Sequence, residues 1–419
     1  MKRFGYLLVL LTYAAVTSAG TIPVVSPSLL SDETAMKWIS EDPTVRSARS
    51  ELEAASVDAA QMEASPYEWT SRLSYQDRRY ERGADSHEWN VALERQVRLP
   101  AKRRADQSMA SAVRAAAEGK FEVVRRQAAQ DLLDLWLDWS AAHSATQVLL
   151  QQRQLALDSL RAVKTRVEHG DAALLEQRLI EADFNDLEGD VSAANTKEGV
   201  AKAKLLARFG KDQLPPVMPI PEPASPPHDA SWWQERIVAA SAAMAVAHSE
   251  LAGAEAAVVR AEADRLPDPT FGVYVSSEAY GDENIVGGTV SIPFPGERRT
   301  LEVQRQVANE NAIRERKLVI EMGTRGMAHS AYASARGAYE HWHLARNTLA
   351  LHRDNAALAQ KAYELGEEDL QTLLLARRQA LKAAETENQI RADAVRAYCT
   401  LLLSAGLLWN DSPAIPESR

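Results

Sequence analysis

The 419-residue sequence predicts a mainly α-helical protein with a small β part, in which one unit is written twice: helix, β-hairpin, very long helix, tight turn, returning helix. Three observations predict it. The first is the proline map, which is empty between Pro100 and Pro215 and again between Pro295 and Pro413. Proline inside a helix removes a hydrogen bond and clashes with the preceding turn, so runs of that length without it are where long helices can form. The second is an internal offset. Gly170 and Gly366 are 196 apart (366 − 170), as are Gly210 and Gly406, and Ser-Glu-Leu recurs at 50–52 and 249–251, an offset of 199. The third is period-two alternation of apolar and polar residues just before each proline-free run, the period of a half-buried strand.

Bulk properties exclude several classes. A net charge of −10 with pI near 5.5 argues against nucleic acid, whose phosphates need clustered Lys and Arg. Cys399 is the only cysteine, so there is no disulfide framework and no Cys-based metal site. We find no nucleophile elbow, phosphate loop or metal-ligand cluster, so no enzyme and no cofactor is predicted.

Residues 1–19 read as a signal peptide. Lys2 and Arg3 precede an apolar run from Phe4 to Val16, and Thr17-Ser18-Ala19 supplies small residues before a cut. No cysteine follows that cut to carry a lipid. No other stretch approaches the ~20 apolar residues of a membrane helix, so any membrane crossing would be by β-strands. Residues 20–43 form an N-terminal segment, 44–210 the first repeat, 211–230 a Pro-rich linker, 231–406 the second repeat and 407–419 a tail.

Each repeat opens with a helix. Val45, Ala48, Leu52, Ala55, Ala59 and Met62 mark a 3,4-spaced seam in the first, and Ile237, Ala240, Met244, Ala247, Leu251, Ala254, Val258 and Ala261 mark one in the second. Pro66 and the pair Pro267 and Pro269 stop these helices. Hairpins follow at about 67–99 and 270–294, with "RGADS" and "GDEN" as turns. On the first, Trp69, Leu73 and Tyr75, then Trp89, Val91 and Leu93, share one parity. On the second, Phe271, Val273 and Val275 share the odd positions of one strand, and Val286, Val290 and Ile292 the even positions of the next. Strands of about ten residues match a tilted crossing of a bilayer, so these side chains are predicted to face lipid, with Trp69 and Trp89 in an aromatic belt.

The long helices are placed at about 101–168 and 297–364, each reaching about 100 Å at 1.5 Å per residue. No globular core of this chain could bury such a rod, so it must pack along others. Returning helices are placed at about 171–208 and 367–405. Four strands cannot close a barrel, and an open edge in lipid leaves backbone groups unsatisfied. The missing strands must come from further copies; two, three or four copies all give an even number.

The segments "EDPTVRSARSELEAA", "AEADRLPDPTFGVYV", "SIPFPGERR" and "AYELGEEDLQTLLLARRQAL", in that order on a duplicated chain, resemble the TolC-like outer membrane factor family. The resemblance runs from about Ser28 to Leu408. It implies a homotrimer whose twelve-stranded outer-membrane β-barrel is continued by a periplasmic α-helical barrel. It also implies two partners, a periplasmic adaptor and an inner-membrane RND-type pump. The segment "LERQVRLPAKRRADQSMASA" and the short chain are most similar to the heavy-metal cation efflux branch, the CzcC- and CusC-like members. The expected function is a passive exit duct of a tripartite efflux system carrying heavy-metal cations. A drug or protein export duct of the same fold is the alternative, and a soluble periplasmic coiled-coil scaffold is the alternative of another class.

In that family the two glycine turns mark the periplasmic aperture and the adaptor-docking tips, which brings forward Gly170, Gly366 and Tyr363. Glu168 and Asp171 flank the first turn; Glu364, Glu367, Glu368 and Asp369 crowd the second. Acidic residues there suit the positive end of the next helix, and symmetry would also gather them into a ring that prefers cations. The histidines of "HWH", His341 and His343, point about 200° apart on a helix and cannot share an ion. His352 falls on the seam and is expected to pack there.

Overall fold

A computed structural model describes residues 29–210, 214–217 and 219–409. The expected signal peptide and most of the tail lie outside the described residues. The chain forms eight α-helices and four strands over these residues.

Two short helices begin each half. Helix α1 (Asp32–Glu41) and α2 (Pro43–Glu63) meet at Asp42, whose carboxylate accepts from the Thr44 N–H at 2.7 Å and so caps α2. Pro43 at the first helical position costs no hydrogen bond. In the second half, α5 (Ala230–Ala240) and α6 (Ala242–Ala263) meet at Ser241, which caps α6 through the Met244 N–H. The structure corrects the sequence expectation in two places. The seam from Ile237 to Ala261 is not one helix but two, bent by 50° where Ser241 turns its backbone extended. The segment before residue 44 holds α1, the counterpart of α5, because Asp42 and Ser241 stand 199 apart, the offset of Ser-Glu-Leu.

Strands β1 (Trp69–Arg78), β2 (Ser86–Gln96), β3 (Thr270–Glu278) and β4 (Glu283–Ser291) form one antiparallel sheet in the order β1-β2-β3-β4. The two hairpins thus join edge to edge through β2 and β3, and β1 and β4 are left as open edges of the chain. Two details depart from expectation. Strand β4 ends at Ser291, so Ile292 lies just beyond it; Pro293 has no N–H to continue the ladder. The second turn is centred on Ala279–Gly281 rather than on "GDEN", because Ala279 and Tyr280 take left-handed backbone angles that their residue types do not advertise.

The long helices are α3 (Pro100–Glu168, 69 residues) and α7 (Glu297–Glu364, 68 residues), each about 100 Å. They return as α4 (Leu174–Phe209) and α8 (Leu370–Ser404). Helix α3 packs on α2, α6 and α4, and α7 packs on α6 and α8. Gly119 of α3 is explained by close approach, since a Cβ there would come within 2.7 Å of Val246 Cγ2 and 3.2 Å of the Val246 nitrogen on α6.

The main core lies at mid-length of α3. Leu132, Leu133, Trp136 and Leu137 are enclosed by α1, the end of α4, Trp233 of α5 and Val395 to Leu403 of α8. Here α3 is buried on more than the single seam the heptad pattern traced, with Trp136 edge-on to Trp38 and Trp139. No single helix among the described residues is long and apolar enough to cross a membrane.

Candidate functional site

The sheet has two unlike faces. Register places Leu73 opposite Val91, Val91 opposite Val275, and Val275 opposite Val286, so one apolar row crosses all four strands. The parallel rows Tyr75–Trp89 and Leu93–Val273 flank it, and Phe271–Val290 completes the face. Every one of these side chains is exposed, and so are Trp69 and Ile292. Trp69 and Arg95 sit at the helix-proximal end, the guanidinium 5.4 Å over the indole, while Tyr75 and Trp89 pair towards the far end. Trp69 and Tyr75 are six residue steps apart on β1 (75 − 69), about 20 Å of strand.

The opposite face is polar. Thr70, Glu94, Gly272 and Thr289 form one row across it, and Arg72, Ala92, Tyr274 and Gly287 the next. The Tyr274 ring lies flat across Gly287, where an added Cβ would come within 2.4 Å of the ring. Covering a strand glycine with a cross-strand aromatic ring shields backbone that glycine leaves bare.

Beneath the sheet the chain's strand–helix connections are tied together by charge. Asp268, fully buried between Pro267 and Pro269, accepts from Lys102 Nζ at 3.0 Å, Tyr67 OH at 2.6 Å and the Leu99 N–H at 3.0 Å. Lys102 also pairs with Asp264 at 3.1 Å, and Asp106 binds Arg98 and Arg260. Burial alone would raise the Asp268 carboxyl. The hydrogen bonds from Tyr67, Leu99 and Lys102 outweigh it and hold the group below its ordinary value. Burial and the Asp268 contact push the Tyr67 hydroxyl up to about 12. Leu99 has no side-chain group to cap α3, so the second half of the chain caps the long helix of the first.

The other end of the molecule carries the two glycine turns. Gly170 and Gly366 have φ of +81° and +73°, and each closes the same pattern. Gly170 N–H donates to Val167 O and Asp171 N–H to Arg166 O; Gly366 N–H donates to Tyr363 O and Glu367 N–H to Ala362 O. This pair of bonds requires a left-handed residue, which glycine supplies without a Cβ clash. The turns differ beyond it. Asp369 caps α8 by accepting from the Thr372 N–H at 2.8 Å, which holds its carboxyl below the usual range, whereas Ala173 gives α4 no cap.

The turns touch through Tyr363. Arg166 Nη1 donates to its hydroxyl at 3.1 Å, and the hydroxyl donates to Glu176 Oε2 at 3.1 Å. Arg166 also reaches Asp171 O and lies over the Tyr363 ring. The ring is half-buried on a small core of Leu160, Val163, Ile180, Leu370, Leu373 and Leu374. Burial pushes the Tyr363 hydroxyl up, so it is a neutral donor at ordinary pH. Glu168, Asp171, Glu364, Glu367, Glu368 and Asp369 are all exposed around the two turns. The structure therefore brings Gly170, Asp171, Tyr363 and Gly366 to one end of the molecule. Sequence reasoning missed Arg166 and Glu176; the signal was an arginine four residues before a helix-ending glycine. It also missed Lys102 and Asp268, which "LPAK" and "LPDP" carried.

The histidines do not converge. His341 and His343 are exposed on either side of buried Trp342, whose Nε1 donates to Glu387 at 2.8 Å. His352 is half-buried on α7. Among the described residues no group of three or more His, Cys, Asp or Glu is placed to hold a metal ion.

No protein-family model matches the chain, and no curated protein sequence matches it. Solved structures do. The chain is similar to CusC, a protein that undergoes conformational changes accompanying folding and transmembrane channel formation, with TM-score 0.71, 13% identity and coverage of 89% of this chain and 91% of that one. It is similar to the Campylobacter jejuni CmeC outer membrane channel with TM-score 0.69, 13% identity and coverage of 98% and 95%. It is similar to the open state of the Neisseria gonorrhoeae MtrE outer membrane channel with TM-score 0.72, 14% identity and coverage of 91% and 90%. The chain has the fold of these outer membrane channels over nearly their whole length.

Proposed function

We propose that three copies of this chain form the outer-membrane duct of a tripartite efflux system, passing substrate from a pump and adaptor to the exterior. The observation that carries this reading is the single exposed apolar face of a four-stranded sheet with both edges open, mounted on helices about 100 Å long. In water, such a face and two bare edges are a liability. In lipid the same face is satisfied, and the edges close when β4 of one copy meets β1 of the next. Trp69, Leu73, Tyr75, Trp89, Val91, Leu93, Phe271, Val273, Val275, Val286, Val290 and Ile292 then face lipid. Closure by three copies gives twelve strands, and the likeness to outer membrane channels supports it.

The glycine turns form the periplasmic aperture in this reading, and their tips meet the adaptor, which links the duct to an RND-type pump in the inner membrane. The cargo we propose is heavy-metal cations. The exposed carboxylates of Glu168, Asp171, Glu364, Glu367, Glu368 and Asp369 support that choice, since repeated around an axis they favour cations.

The deciding measurement is the native mass of the protein extracted from a purified outer-membrane fraction. A detergent-stable trimer is expected; a soluble periplasmic monomer or dimer would return the scaffold reading. Cargo is tested separately with a deletion strain exposed to zinc, cobalt, cadmium, nickel, copper and silver. Sensitivity to drugs with none to metals would make the chain a drug duct.

A further inference from the structure

The end of the sheet far from the helices is folded over by its own turn. Three consecutive residues there, Ala279, Tyr280 and Gly281, have φ of +48°, +62° and +90°. Glycine accepts such angles freely, but alanine and tyrosine do so only at a cost that the surroundings must offset.

Tyr280 supplies the offset. Its N–H donates to Ser86 Oγ at 2.9 Å, its hydroxyl donates to Ala84 O, and its ring stacks on Tyr80 with centroids 5.9 Å apart. All three partners belong to β2 or to the loop before it. One residue therefore straps the tip of the second hairpin across the tip of the first.

The strap lies on the polar side of the sheet. The Tyr280 N–H reaches the side chain of Ser86, which is on that face, and Ser86, Glu88 and Ser276 there are 0%, 2% and 3% exposed. Glu88 is only half satisfied in this position. Arg78 and Gln76 meet its Oε2 at 3.1 and 2.7 Å, but Oε1 is buried with no partner. A buried acceptor without a donor is unfavourable, and water would relieve it if the turn lifted. Strained backbone and an orphaned oxygen favour release, and the contacts of Tyr280 favour closure. That balance is what a movable cover requires.

We propose that the Tyr280 turn is a lid on the outer mouth of the duct, held shut by its strap and opening to bare Glu88 to the passage. The inference rests on the duct reading, in which the polar face lines the passage and each copy contributes one lid.

The test uses the full-length protein with Ser86→Cys and Tyr280→Cys, two residues that the Tyr280 N–H to Ser86 Oγ bond holds close; the native Cys399 is buried. In planar bilayers the oxidised pair should conduct severalfold less than the same protein after reduction. Tyr280→Ala, which removes the hydroxyl bond and the ring stack and leaves only the backbone N–H to Ser86, should conduct more than the wild type. Equal conductance of oxidised and reduced forms, with the cross-link verified by mass, overturns the lid. So does failure of the thiols to cross-link while both single variants fold and conduct. A wild-type protein that is not recovered as a trimer from the outer membrane defeats the duct reading itself, which separates that failure from failure of the lid.

Discussion

The Tyr363 hydroxyl stands 3.1 Å from Glu176 Oε2 and donates to it, joining the end of α7 to the start of α4 across the two glycine turns. With Arg166 donating to the same hydroxyl, one tyrosine holds both hairpin tips in a single arrangement. Removing the hydroxyl by Tyr363→Phe keeps the ring on its apolar floor and deletes both bonds, about 1–2 kcal/mol per copy. Single-channel recording should show a larger or more often open conductance, with the thermal transition nearly unchanged.

The Lys102–Asp268 pair should matter to stability rather than to conduction. Lys102→Met leaves a buried carboxylate short of its cation, a change worth about 3 kcal/mol, and lowers the melting temperature. The acid limb follows from the same group. The folded-state pKa of Asp268 lies below the ordinary 3.8, so its stabilisation is complete above that value and is lost as pH falls through the folded pKa. Acid unfolding of the wild type should therefore lie below pH 3.8, and Asp268→Asn should flatten that limb while lowering stability at neutral pH.

Two glycines should respond to alanine for different reasons. At Gly366 the space is open and only the positive φ resists, about 1–2 kcal/mol. At Gly119 the backbone is ordinary, but the methyl meets Val246, and overpacking costs about 1–3 kcal/mol. Limited proteolysis should show cleavage near the tip for Gly366→Ala, and thermal melting should show a global loss for Gly119→Ala.

The two sheet faces give the sharpest contrast. Val275→Arg places a charge at the middle of the apolar row, about 2–4 kcal/mol per copy in a bilayer. It should abolish recovery from the outer-membrane fraction, while Asn90→Asp, on the polar face, should be recovered at wild-type levels.

Periodicity made much of this fold legible. Alternation at Leu73, Val91 and Val275 marked one face because side chains on a strand alternate whatever their neighbours, and the glycines of both turns were visible because nothing else takes that φ cheaply. Less legible were features decided by partners distant in sequence. Ser241 breaks a helix that its heptad continues, and Gly210, matched to Gly406 by offset, has φ of −81° where Gly406 has +68°. The offset matches the two positions in the sequence, but it does not fix their backbone angles. Arg166, Glu176 and Asp268 carried no periodic signal, since a contact across 169 residues leaves none.

In the proposed barrel, Gly287 and Tyr274 would set the calibre between them. With no side chain at 287, the phenol lies along the wall and adds little to its thickness. Any larger residue there would tip the ring away from the sheet, and in a three-copy barrel three such rings would narrow the bore at one level. The width available to a solute is thus written partly in what one position lacks, and the two residues are free to change only together.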